Sequence, residues 1–101
     1  MKENTLSQDK LRELLAAFKK RHGAEYGLLA LGYFGSYAHN TATPGSDVDI
    51  VFDTNAPNLF MTAMMKQDLE ELLGRPVDVL QLRGLTNPHL KARIEKEAVY
   101  V

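Results

Sequence analysis

Asp47 and Asp49 stand two residues apart in the segment Asp47-Val48-Asp49-Ile50-Val51-Phe52-Asp53, where Val48, Ile50 and Phe52 alternate with them. In an extended strand, residues i and i+2 share a face, and a rise of about 3.3 Å per residue separates their backbones by about 6 to 7 Å. Both carboxylates therefore project to the same side and can converge on one cation. At about 5 Å and an effective dielectric near 20, two such charges repel by about 3 kcal/mol, a heavy load for a small domain. A divalent metal turns that repulsion into binding. Hard oxygen ligands with no neighbouring His or Cys favour Mg²⁺, with Mn²⁺ as the alternative, over zinc. A third carboxylate on an adjacent strand would allow two ions, and Asp78, set among Val77, Val79 and Leu80, is the candidate.

Upstream, Gly35-Ser36 follows the apolar run Leu28–Phe34, where a strand gives way to a turn. Glycine lets a phosphate approach the backbone, and the free N–H groups and a small hydroxyl meet it there. A phosphate-gripping turn ahead of a metal-binding acid pair predicts transfer of a phosphorus-containing group, with metal ions neutralising the charge that develops.

Helical spacing of Leu11, Leu14, Leu15 and Phe18 after a Ser7 N-cap predicts a first helix over about 7–22. It ends in the cations Lys19-Lys20-Arg21 and in Gly23. Leu28–Phe34, apolar on both faces, reads as an interior strand. The acid-bearing segment 47–53 is a second strand, with Asp53 at its end read as a turn residue. Met61, Met64, Met65, Leu69, Leu72 and Leu73 trace an amphipathic helix that ends at Gly74. Residues 76–82 form a third strand, and Asn87-Pro88 caps a last helix through about Glu97 with Leu90 and Ile94 inward. Val99, Tyr100 and Val101 are suited to an edge strand. The order α-β-β-α-β-α predicts an α/β (α+β) fold, a small mixed β-sheet flanked by helices, as a single domain over 1–101.

Composition narrows the function further. The 101 residues are 45% apolar and 25% charged, within the globular range. Twelve Lys and Arg against 13 Asp and Glu give a net charge of -1, which argues against a broad basic footprint on nucleic acid. With no cysteine, disulfides, thiolate catalysis and Cys-ligated zinc are excluded. The first residues are charged rather than apolar and no stretch is long enough to span a bilayer, so the reading is a cytoplasmic protein.

Gly35-Ser36, ten intervening residues and Asp47-Val48-Asp49 resemble the signature of the DNA polymerase β-type nucleotidyltransferase superfamily, in its minimal nucleotidyltransferase (MNT) branch. Ala38, Ser46, the aliphatic after Asp49 and Pro76-Val77-Asp78-Val79 extend the resemblance over nearly the whole chain. It implies that Gly35 and Ser36, with Ser46 and residue 39, hold the triphosphate of ATP or another nucleotide. It also implies that Asp47 and Asp49 bind two Mg²⁺, and that Asp78 completes the site and helps deprotonate an acceptor hydroxyl. Two positions depart from the branch's pattern: His39 stands where arginine is frequent, and Asn40 where glycine is frequent. Asn tolerates a left-handed conformation best after Gly, so the turn at 40 should survive. A neutral imidazole at 39 lacks arginine's permanent charge and fork of donors.

The same resemblance implies a biological role. Single-domain members of the branch are commonly antitoxins paired with a helical HEPN-type ribonuclease toxin, and some inactivate it by transferring AMP from ATP to a tyrosine. The expectation is therefore a Mg²⁺-dependent nucleotidyltransferase that places a nucleoside monophosphate on a hydroxyl of such a partner. The alternatives are a non-catalytic antitoxin that neutralises its partner by complex formation, and the nucleotide-transfer subunit of a two-subunit enzyme acting on a small molecule.

Overall fold

The computed structural model describes residues 6–101. Ser7 caps the first helix, its hydroxyl accepting the Lys10 N–H at 3.0 Å. This helix, α1, spans Gln8–Tyr26, four residues beyond the expected end at His22. Gly23 is read through, and the helix stops instead at Gly27, a left-handed C-cap with φ 61°. Packing explains the difference. A mid-helix glycine costs only about 1 kcal/mol relative to alanine, and the extra turn brings Tyr26 into the core, where its hydroxyl donates to Asp68 at 2.5 Å. The Tyr26 ring also lies 6.1 Å from that of Phe18. Lys19, Lys20 and Arg21 consequently lie within the helix rather than in its last turn.

Strand β1 (Leu28–Phe34) is interior, as its two-sided apolarity predicts, and is followed by a 3-10 turn at Gly35–Tyr37. Strand β2 (Val48–Thr54) leads through the Asn58-capped helix α2 (Leu59–Leu73) to strand β3 (Val77–Gln81). Helix α3 (Pro88–Glu97), capped by Asn87, precedes strand β4 (Val99–Tyr100). The sheet order is β3-β2-β1-β4, with β1 antiparallel to both neighbours and β2 parallel to β3. The result is the mixed, helix-flanked sheet expected from the order of elements, closed on one edge by the short β4.

Parity along β2 divides the two faces. Val48, Ile50 and Phe52 join Leu11, Leu15 and Phe18 of α1 and Met65 and Leu69 of α2 in the main core. Of the three methionines, Met65 is buried while Met64 is half exposed, so this helix does not turn all of them inward. Val51, of opposite parity, is fully buried outside that cluster, as is Ile94 of α3, so α3 lies against the face that carries Asp49. Gly32 is required where β4 crosses: a Cβ there would run into the Val99 carbonyl and Tyr100. Asp53 proves to be a strand residue, not a turn residue, and its carboxylate accepts from Arg83 Nε at 2.8 Å. Among the described residues no helix is long and apolar enough to cross a membrane.

Candidate active site

The backbone reverses at the end of β1. Gly35 adopts φ +74°, a conformation disfavoured for side-chain-bearing residues, and its carbonyl then accepts the N–H groups of Ala38 (3.0 Å) and His39 (3.1 Å). Thr41 closes the loop by donating to the Ser36 carbonyl at 2.9 Å. Asn40 adopts φ 58°, the left-handed conformation expected of it. Among the described residues none hydrogen-bonds the Ser36 hydroxyl.

Two residues without any motif signal pin this turn. Gln8, from the first turn of α1, donates from Nε2 to the Tyr37 carbonyl and to Asn40 Oδ1, both at 2.8 Å, while accepting from the Tyr33 hydroxyl at 2.7 Å. Arg75, just before β3, donates to the Tyr37 hydroxyl at 2.7 Å. Sequence reading misses both, because a glutamine near a helix start and an arginine after a glycine are ordinary residues until the tertiary fold brings them to the turn.

The carboxylates meet across strands. Asp49 is in register with Phe34 of β1 on one side and Asp78 of β3 on the other. Parallel neighbours lie about 4.8 Å apart, so the two acids stand side by side. Val48 N–H donates to the Pro76 carbonyl at 3.0 Å, and Val77 N–H donates to the Glu70 carboxylate at 3.1 Å, which fixes the start of β3 and with it Asp78. Asp47 immediately precedes β2 and is exposed. Burial raises the Asp49 carboxyl above its ordinary value, the charges of Asp78 and Asp47 raise it further, and Arg93 of α3 partly offsets them.

The other expected site residues are placed differently. Ser46 caps its own loop, its hydroxyl accepting the Thr43 N–H at 2.9 Å. His39 is exposed and contacts Glu97 of α3, Nε2 to Oε1, at 3.0 Å.

This glycine turn beside paired acids on a mixed sheet invites comparison with known proteins. Residues 11–101 match the family described as "Nucleotidyltransferase domain". The chain belongs to this nucleotidyltransferase family. It is 34% identical over 97 residues to the protein adenylyltransferase MntA of Thermococcus cleftensis, covering 95% of this chain and 97% of the relative. A solved structure provisionally assigned as a minimal nucleotidyltransferase is 31% identical and superposes with a TM-score of 0.80, covering 96% of this chain and 98% of the other. At 20% identity the fold alone is shared with a chain from the complex of the tri-AMPylated Shewanella oneidensis HEPN toxin with an MNT antitoxin. That match has a TM-score of 0.59 and covers 92% of this chain and 66% of the other.

In this nucleotidyltransferase, no three His, Asp or Glu side chains among the described residues already form a metal cage. The donor set nonetheless fits Mg²⁺, which usually keeps several waters and binds through one or two carboxylates plus substrate phosphates rather than in an all-protein cage. Asp49 and Asp78 supply side-by-side hard oxygens, with Asp47 two residues before Asp49.

Proposed function

We propose that this nucleotidyltransferase moves AMP from ATP to a hydroxyl of a partner protein, a HEPN-type ribonuclease toxin, and so acts as its antitoxin. The observation that carries the reading is the register pair Asp49–Asp78 beside the Gly35 turn. Identity of about a third over nearly the full length with an enzyme named protein adenylyltransferase supports AMP as the transferred group. The fold shared with a chain of a HEPN–MNT complex supports the partner.

Gly35 and Ser36 receive the triphosphate, through the close backbone approach that glycine allows and the unengaged serine hydroxyl. Asp47, Asp49 and Asp78 hold Mg²⁺, which when bound neutralises charge on the reacting phosphate. The acceptor oxygen forms its bond to the α-phosphorus, the bond from that phosphorus to the bridging oxygen breaks, and pyrophosphate leaves. Asp78, exposed at the strand edge, takes the proton of the acceptor hydroxyl.

The test is the intact mass of the co-purified partner after incubation with ATP and Mg²⁺, with Asp47→Asn as control. Wild type should add one or more AMP units and the variant none. A stable complex without any mass gain would overturn transfer in favour of neutralisation by occlusion, and a gain only on small acceptors would assign the two-subunit role.

A further inference from the structure

We propose that Arg93 of α3 is a nucleotide-binding residue of this site: its terminal guanidinium nitrogens hold an outer phosphate of ATP, and Glu97, shared with His39, positions it. The proposal rests on the nucleotide reading above and deepens it.

One carboxylate oxygen makes the arrangement. Glu97 Oε1 accepts from Arg93 Nε at 3.2 Å and lies 3.0 Å from His39 Nε2. An arginine and a glutamate four residues apart on a helix are commonly no more than a weak surface pair. Here, however, the same oxygen also engages a residue from the turn that begins at Gly35, 58 positions before Glu97 in the chain. The bracket thus ties α3 to the turn. The anchor is mostly buried, with the Glu97 side chain 20% exposed, while the arginine side chain is 54% exposed and open to a ligand.

Only Nε of Arg93 is engaged, and no described residue takes its terminal nitrogens. Helix α3 lies on the face of the sheet that carries Asp49, and the Arg93 charge is within electrostatic reach of that acid, whose carboxyl it lowers. A polyanionic nucleotide arriving beside three carboxylates needs permanent positive charge, and the Gly35–Asn40 turn has none of its own, since residue 39 is histidine. Arginine offers that charge with a planar fork suited to phosphate oxygens. The α-phosphorus belongs at the carboxylates, beside Gly35. Arg93 is linked through Glu97 to His39, at the other end of the turn, and it is there that the proposal places the phosphates that leave as pyrophosphate.

The test is equilibrium binding of ATP and, separately, of AMP in the presence of Mg²⁺, by calorimetry on wild type, Arg93→Ala, Arg93→Lys and Glu97→Gln. Arg93→Ala should weaken ATP about ten- to hundredfold while changing AMP by less than about threefold, the size of a lost charge-assisted contact to the outer phosphates. Arg93→Lys should fall between, because it keeps the charge and loses the anchored fork. Glu97→Gln should weaken ATP binding less than Arg93→Ala does and, in a parallel transfer assay, raise KM for ATP more than it lowers kcat. ATP affinity within about twofold of wild type in Arg93→Ala overturns the proposal, as does an equal loss of ATP and AMP, which would mark a purely structural role for α3. Wild type that binds no ATP overturns the nucleotide reading and the proposal together.

Discussion

The space a Cβ would fill at Gly35 is occupied by the Asp49 carboxylate: built onto this backbone, that Cβ would overlap Asp49 Oδ2. One absent methyl group therefore joins the two halves of the candidate site. The turn proposed to meet phosphate and the strand that carries Asp49 are in contact at the point where glycine leaves room for both.

Gly35→Ala should accordingly damage fold and chemistry together. The left-handed φ of +74° and the overlap with Asp49 are expected to cost about 1–3 kcal/mol in urea unfolding. Transfer per folded molecule should drop at least about a hundredfold, as the carboxylate is pushed away from the turn.

Asp49→Asn should separate those two effects. Removing one of three like charges relieves repulsion, so the metal-free variant should melt at the same temperature as wild type or a few degrees higher, about 1 kcal/mol of stability or less. Transfer of AMP should fall at least about a hundredfold. Thermal melting in chelator and intact-mass assays measure the two outcomes.

The pH dependence follows from the raised Asp49 carboxyl. Because the folded state holds this proton more tightly than the unfolded chain, stability contributed at low pH is lost as pH rises from the ordinary value of 3.8 through the raised one. Melting scans in chelator should therefore show a decline over that window which Asp49→Asn lacks. Mg²⁺ should restore stability on the alkaline side, since it binds the deprotonated carboxylates.

Thr54→Val tests the far end of the sheet. The buried Thr54 hydroxyl donates to the Tyr26 carbonyl at 2.8 Å and accepts the Ala56 N–H at 3.1 Å, and valine leaves both groups without that partner. The expected loss is about 1–3 kcal/mol in urea unfolding. AMP transfer by the folded fraction should be unchanged, because Thr54 lies five residues along β2 from Asp49.

Much of the fold is legible in particular residues. Alternation in 47–53 reveals β2 with Asp49 opposite the core face, although Asp47 falls just before the strand; Asn58 with Gly74 brackets α2, and Asn87-Pro88 opens α3. The end of α1 is not legible in this way. Gly23 carries the local stop signal, yet the burial of Tyr26 and its hydrogen bond to Asp68 outweigh it. Asp53 looked like a turn residue because Thr54 and Asn55 follow it, and only the approach of Arg83 shows it within the sheet.

The sequence by itself determined which chemistry is available: acids two apart where a strand begins, a glycine-serine turn before them, and no thiol or broad basic composition. These are properties of residue type and local period, which short segments express without their neighbours. Tertiary structure alone decided that Asp49 faces Asp78, that Gln8 and Arg75 hold the turn, and that Glu97 joins His39 to Arg93. Strand register and helix docking depend on burying the whole core at once, and no local pattern of residues encodes which distant side chains that burial brings together.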